Sequence, residues 1–455
     1  MRAPRSEFGD ALPNRSGRAA RIARSRRFFR PLLEFSHTTS AGGIVLLAAT
    51  IVALVWSNVV GVEAYTRFFE TKIGLSWGDA GFKMSIRHWV DDFLMSIFFL
   101  VVGLEIKREL FMGELSTRRK ATLPALAALG GMVIPAGIFL LLNSGQASAR
   151  AWGIPMATDI AFSLGLLSLL GNRVPTSLKV FLAAYAIVDD LGAILVITLF
   201  YSSGVNAMGL LVAAGFLLAM GLLNFMGVRR LFPYMALGLG VWAGIYSSGV
   251  HASIAGVLVA FTIPLWVRMD RTAFLERAKA SLQEIEEGGS SDEPHLTDEE
   301  QYHLGRLERA IENAQFPLQR LENLLHSGVA FVVLPLFALA NAGVPLGGGQ
   351  LGSSLSLGII LGLVFGKPLG IVAFAWLGAK LKLCDLPKHS NWGQIVGVGF
   401  LGGVGFTMAI FISNLALDSA AVQNQAKLAI LVASGVAAVV GLLIVKLSSR
   451  RRFRL

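Results

Sequence analysis

Asp189 and Asp190 stand side by side in the middle of an apolar run from Ser177 to Tyr201. A carboxylate at bilayer depth costs roughly 2.5–3.5 kcal/mol on insertion scales, so a neighbouring pair needs a compensating role, and holding cations or protons is the first candidate. Thr158 and Asp159 follow Gly153 and Pro155 inside a shorter apolar segment that ends at Gly171. Lys367, followed by the kink-prone Pro368, lies within the run from Leu357 to Ala379. A lysine in such a run can pair with an aspartate and surrender its proton when a cation arrives. Three acids, one base and one hydroxyl at membrane depth therefore point to ion and proton exchange rather than to packing.

The elements that must position these groups are membrane-spanning helices. Hydrophobic residues make up 54% of the 455-residue chain and charged residues 15%, with a mean hydropathy of +0.63. That is far more apolar sequence than a soluble domain uses. Runs near the ~20 residues needed to cross a bilayer begin at about Ala41, Val90, Ala121, Pro155, Ser177, Val205, Phe232, Val250, Leu324, Ser353, Gly393 and Val422. The expected fold is an all-α integral membrane protein of about twelve transmembrane helices. Arg and Lys gather in alternate connections, as at Lys107 to Lys120, Arg229-Arg230, Arg268 to Arg320 and Lys380 to Lys388. By the positive-inside rule both termini are cytoplasmic.

The net charge of +11 is thus mostly topology, with attraction to anionic lipid secondary and nucleic-acid binding excluded as a primary role. The first thirty residues hold nine arginines and no apolar stretch, which reads as a basic cytoplasmic tail over 1–40 rather than a secretory signal. A membrane domain over 41–447 and a basic tail over 448–455 complete the expected organisation. With Cys384 the sole cysteine, no intrachain disulfide is available, and nothing in the chain calls for a cofactor.

Two stretches break the membrane pattern. Within 61–88, the arms Thr71 to Trp77 and Phe82 to Arg87 flank Gly78-Asp79-Ala80-Gly81, which suits an external β-hairpin. Within 268–316 the chain is charged and helix-favouring around Gly288 to Pro294, which suits two cytoplasmic helices joined by a flexible linker.

Two spans should be interrupted. Gly153 and Pro155 loosen the fourth, and the string Gly399-Phe400-Leu401-Gly402-Gly403-Val404-Gly405-Phe406-Thr407 loosens the eleventh. They are the middle members of two three-span groups, as an internal repeat would give, and paired interrupted segments in transporters mark a midplane substrate site. Crossed half-helices present uncompensated positive and negative ends, which Asp159 and Lys367 respectively are placed to balance.

At this point the residues match a family. The strings Ala157-Thr158-Asp159-Ile160-Ala161-Phe162, Ala186-Ile187-Val188-Asp189-Asp190-Leu191-Gly192-Ala193, Phe365-Gly366-Lys367-Pro368-Leu369-Gly370 and Gly405-Phe406-Thr407-Met408 resemble the NhaA-type sodium/proton antiporters, a family that is itself a type example of inverted-repeat transporters. The resemblance runs from about Phe35 to Leu447. It implies twelve helices with inverted repeats and two crossed, interrupted helices, and a site where Asp189 and Asp190 alternately hold sodium or lithium and protons. Asp190 would be the most essential carboxylate, Asp189 its partner salt-bridged to Lys367, with Thr158 and Asp159 lining the site. It further implies electrogenic, pH-regulated expulsion of internal sodium in exchange for external protons, across the inner membrane of a bacterium, by a homodimer joined through the hairpin.

The family places pH control in a cytoplasmic funnel whose matching residues here are Glu105, Arg108, Glu109 and Glu322, with His251 on the eighth span. Glu105 and Glu109 are an i, i+4 pair on one helical face. One departure stands out: where the family has Lys-Arg-Leu-Glu, this chain has Gln319-Arg320-Leu321-Glu322, so one basic group of the funnel is missing.

Two other classes remain as alternatives. An intramembrane aspartyl protease also needs two buried carboxylates, but places them on separate helices in Tyr-Asp and Gly-x-Gly-Asp contexts that these spans lack. A passive cation channel gives no reason for Lys367 beside the acids.

Overall fold

The computed structural model describes residues 39–450 apart from 78–79, 203, 205, 268, 289–296 and 348–350. Almost all of tail 1–40, the end of tail 448–455 and the expected linker around 288–294 therefore lie outside the described residues.

The chain is helical almost throughout. Spans one, three, five, six, nine, ten and twelve are Ala41–Val60, Arg118–Asn143, Thr176–Phe200, Ala207–Phe225, Pro317–Asn341, Ser354–Lys380 and Ala420–Ser449, and each of these seven is long and apolar enough to cross a membrane alone. The eleventh, Trp392–Gly402 with Phe406–Ala416, qualifies as a pair bent by 41°. The other four have local reasons to fall short. The second, a continuous helix over 86–111, carries Asp91, Asp92, Glu105, Lys107, Arg108 and Glu109. The fourth is split into Ala147–Met156, wound as a 3₁₀ helix, and Ile160–Ser168. The seventh, Leu231–Ser247, is 17 residues long.

The eighth departs from expectation, because Ile254–Thr262 is only nine residues long. Gly249, at φ +78°, turns the chain ahead of it, and Pro264 cannot continue the helix beyond it. Its carboxyl end is not left bare. Lys107 Nζ, buried, donates to Phe261 O at 2.7 Å and Ile263 O at 2.5 Å, a cation placed where half-helix carbonyls are exposed.

Burial ranks the spans. In the sixth only 17% of the apolar window is covered by protein, whereas in the fifth, which carries Asp189 and Asp190, 61% is. The fifth is therefore central and the sixth peripheral. Close packing around the centre relies on glycine: a Cβ on Gly370 would stand 2.0 Å from Gly130 O, so spans three and ten touch backbone to backbone, as small residues permit in membranes.

Outside the membrane, β1 (Lys72–Trp77) and β2 (Ala80–Ser85) form the expected antiparallel hairpin, in register from Lys72 opposite Ser85 to Trp77 opposite Ala80. The Trp89 indole donates to Ile73 O at 3.1 Å and ties the hairpin to the second span. Two helices, Arg271–Gly288 and Asp298–Ala314, occupy the charged segment. Glu284 joins them by accepting from Arg306 at 2.9 Å and facing His303 at 2.7 Å.

Candidate functional site

The two interruptions meet each other. Asp159 N donates to Val404 O at 2.8 Å, and Thr158 Oγ1 donates to Gly402 O at 2.8 Å. Each unwound segment thus satisfies polar backbone of the other, which hydrocarbon could not do.

Asp159 caps two helices at once. Its Oδ1 accepts from Phe162 N at 2.9 Å, making it the N-cap of Ile160–Ser168. Its Oδ2 accepts from Thr407 N at 3.2 Å and Thr407 Oγ1 at 2.5 Å, in the first turn of Phe406–Ala416. One carboxylate therefore faces two positive helix ends. The opposite end is met by Lys367, which donates to Met156 O, the last carbonyl of Ala147–Met156, and to Asp189 Oδ2 at 2.9 Å. The charges that the sequence assigns to the helix ends are where the geometry needs them.

Lys367 reaches this position because its helix is distorted just before it. Pro368 has no N–H and its ring crowds the carbonyl four residues back; the turn Gly362–Gly366 widens to π geometry and relieves that clash. A widened turn of this kind often marks a functional site.

The neighbouring aspartates are not equivalent. Successive helical side chains point about 100° apart, so when Asp189 faces Lys367, Asp190 faces elsewhere. Asp190 is buried and, among the described residues, neither of its oxygens has a hydrogen-bond partner. It lines a cavity of about 620 Å³ whose wall also includes Glu105, Arg108, Glu109 and Glu114 near the carboxyl end of the second span. Access to Asp190 is thus from the end of the bundle at which the second span terminates. A buried carboxylate without partners is costly, and a proton or cation arriving through the cavity removes that cost.

Four of the five funnel residues come together. Arg108 bonds Glu322 at 2.8 Å and Glu109 at 3.2 Å, and Glu105 lies 3.9 Å from His326, which also lines the cavity. His251 does not join them. It sits at the opposite end, by the start of the second span, Nε2 3.7 Å from Asp92 and Nδ1 2.8 Å from Ser253 Oγ, because it precedes the short half-helix that runs back toward them.

The side of the site opposite the cavity is filled. Phe411 packs 5.5 Å from Phe99 and 6.1 Å from Phe337, centroid to centroid. Above them Asn341 donates to Asp91 at 2.6 Å and accepts from Asn414 at 2.8 Å, linking spans two, nine and eleven. Lys427, also buried, faces the same acid. The site is open toward the carboxyl end of the second span and closed toward its start.

Residues 33–445 match the Na+/H+ antiporter 1 family. The chain is 46% identical to a protein of Oleidesulfovibrio alaskensis named Na(+)/H(+) antiporter NhaA, over 94% of this chain and 96% of that one. The chain belongs to this antiporter family. It is also 44% identical to the Na(+)/H(+) antiporter NhaA 2 of Myxococcus xanthus, over 92% of this chain and 90% of the relative. Likeness to NhaA relatives makes the chain a multi-pass membrane transporter, and the protease and channel readings gain no support from it.

Some members of the site were not singled out in the sequence. Thr407 holds Asp159, Tyr185 contacts Thr158, and the carbonyls of Met156 and Gly402 take the remaining donors. Thr407 was legible in principle, as the hydroxyl that follows the glycine break. Tyr185 was not, since a tyrosine in a long apolar helix looks like packing.

Proposed function

We propose that the chain exchanges sodium, or lithium, for protons at Asp189 and Asp190, with Thr158, Asp159 and Lys367 completing the site. The observation that carries the reading is the partnerless Asp190 carboxylate at the inner end of a cytoplasmic cavity, one residue from a carboxylate already neutralised by a lysine.

A dehydrating cation descends the cavity, meets Asp190, and competes with the Lys367 ammonium for Asp189. Cation binding requires deprotonated ligands, so binding expels protons and a proton-loaded site repels the cation. Asp190 and Lys367 are separate proton-holding groups, so more than one proton can be exchanged per cation, which makes the cycle electrogenic. Asp159 keeps the two half-helix starts neutralised throughout, so the breaks can rock as a unit and turn the site outward. Parting of Asn341 from Asp91 and of the phenylalanines beneath them would open that side.

The same reading places the protein in the inner membrane of a bacterium, with both termini cytoplasmic, anionic lipid at its basic loops, and internal sodium exchanged for external protons. Within the membrane domain, 41–447, Glu105, Arg108, Glu109 and Glu322 would govern cation entry with pH; His251, on the other side, would act on the external exit. Among the described residues the two-stranded hairpin has no further strand at either edge, which suits pairing with a second copy and supports a homodimer.

The test is purified protein in vesicles holding a preset pH gradient. Added sodium is expected to collapse the gradient, and the apparent KM for sodium is expected to rise on acidification by up to about tenfold per pH unit for each proton that competes. Vesicles whose gradient ignores both sodium and lithium, with the protein inserted and folded, would overturn the reading.

A further inference from the structure

Tyr185 lies one turn before Asp189 on the fifth span and is completely buried. Its phenol fits a slot made by missing side chains. A Cβ on Gly131 would stand 3.0 Å from the hydroxyl, and one on Gly402 would stand 3.3 Å from it. Spans three and eleven thus leave just enough room for the ring to reach the break, where its hydroxyl lies 3.2 Å from Thr158 Oγ1.

The direction of this bond follows from counting hydrogens. A threonine hydroxyl has one hydrogen and two acceptor lone pairs. Thr158 spends its hydrogen on Gly402 O at 2.8 Å, so the hydrogen between the two hydroxyls comes from Tyr185. The order is Tyr185 O–H to Thr158 O–H to the Gly402 carbonyl. Thr158 Oγ1 is then held from both sides, with one lone pair left and its direction fixed. Asp189 is within interaction range of both hydroxyls, and its Oδ1 accepts no hydrogen bond. Packing alone would be served by phenylalanine; a polar tip buried at this depth calls for a role.

We propose that Tyr185 is a positioning residue of the ion site, which fixes the free lone pair of Thr158 as a neutral oxygen ligand beside Asp189 and thereby sets the cation affinity of the exchanger. The inference rests on the exchange reading above. Alkali cations are hard and take oxygen ligands, so a carboxylate pair needs neutral oxygens to complete the shell. A ligand held in place before binding loses less freedom when the cation arrives.

The test compares Tyr185→Phe with wild type in vesicles, across a pH series, with sodium and with lithium. Phenylalanine keeps the ring and loses only the hydroxyl. The expected result is an apparent KM for sodium raised about three- to tenfold, the worth of one hydrogen bond, at a maximal rate within about twofold of wild type. The sodium-to-lithium KM ratio is expected to change, since cations of different radius place different demands on one oxygen. The slope of KM against pH is expected to persist, because Asp190 still competes for protons. A cycle with Thr158→Val gives the second reading: if Tyr185 acts through Thr158, the double variant is no worse than Thr158→Val alone. Unchanged KM values for both cations in Tyr185→Phe, or effects that multiply in the double variant, would overturn the proposal. Absence of sodium-driven exchange in wild type would instead strike the exchange reading itself, so the two failures are distinguishable.

Discussion

Asp190→Asn is expected to abolish sodium-driven proton movement while the protein still inserts and folds. The asparagine has the same shape, and no hydrogen bond is lost, since neither Asp190 oxygen makes one. What disappears is, among the described residues, the one fully buried carboxylate that lines the cavity. Removing one partner of a buried charge pair costs about 3–5 kcal/mol, which for cation affinity is a factor above about a hundred. An amide also cannot carry the exchanged proton. The check is the rate of gradient collapse in vesicles, beside a thermal melt. A collapse rate like that of wild type would remove Asp190 from the chemistry.

Lys367→Ala carries the second large effect, on stability as well as transport. Lys367 is fully buried and serves two acceptors, the Met156 carbonyl and Asp189. Its loss leaves a buried carboxylate and a half-helix end without a cation, at a cost of about 3–5 kcal/mol. The melting temperature is expected to fall by several degrees, and Asp189→Asn in the same chain is expected to restore much of it, because an amide needs no counter-charge. Near-additive losses in the double variant would show that the pair is not the stabilising unit. By contrast, Asp159→Asn should be milder on stability, since the asparagine oxygen can still cap one of the two helix starts.

Much of this site was legible in the chain because polar residues at bilayer depth are so costly that each one signals a task. Asp159, Asp189, Asp190 and Lys367 announce themselves against apolar surroundings, and Gly153, Pro155 and Gly402 to Gly405 announce the breaks. The geometry of helix ends then explains why an acid stands at one and a base at the other. The sequence is silent where the partner is backbone, as with the Met156 and Gly402 carbonyls, or where a side chain suits both packing and chemistry, as with Tyr185. It also misled over the eighth span. The apolar run from Val250 continues past Thr262, and hydropathy does not register that Gly249 and Pro264 confine the helix to nine residues. His251 likewise stands apart from Glu105, Arg108, Glu109 and Glu322, since the position of a residue along a span sets which end of the bundle it meets.

Competition of sodium and protons for one carboxylate pair is the core of the proposed mechanism, and proton release on sodium binding measures it most directly. Detergent-solubilised protein in weak buffer, with a pH indicator, receives sodium chloride, and choline chloride serves as control. Wild type is expected to release protons in a saturable, sodium-specific step that lithium reproduces and that is absent from Asp190→Asn. Sodium binding, seen as a shift in melting temperature, without any release of protons at any pH across the titration would contradict a shared site.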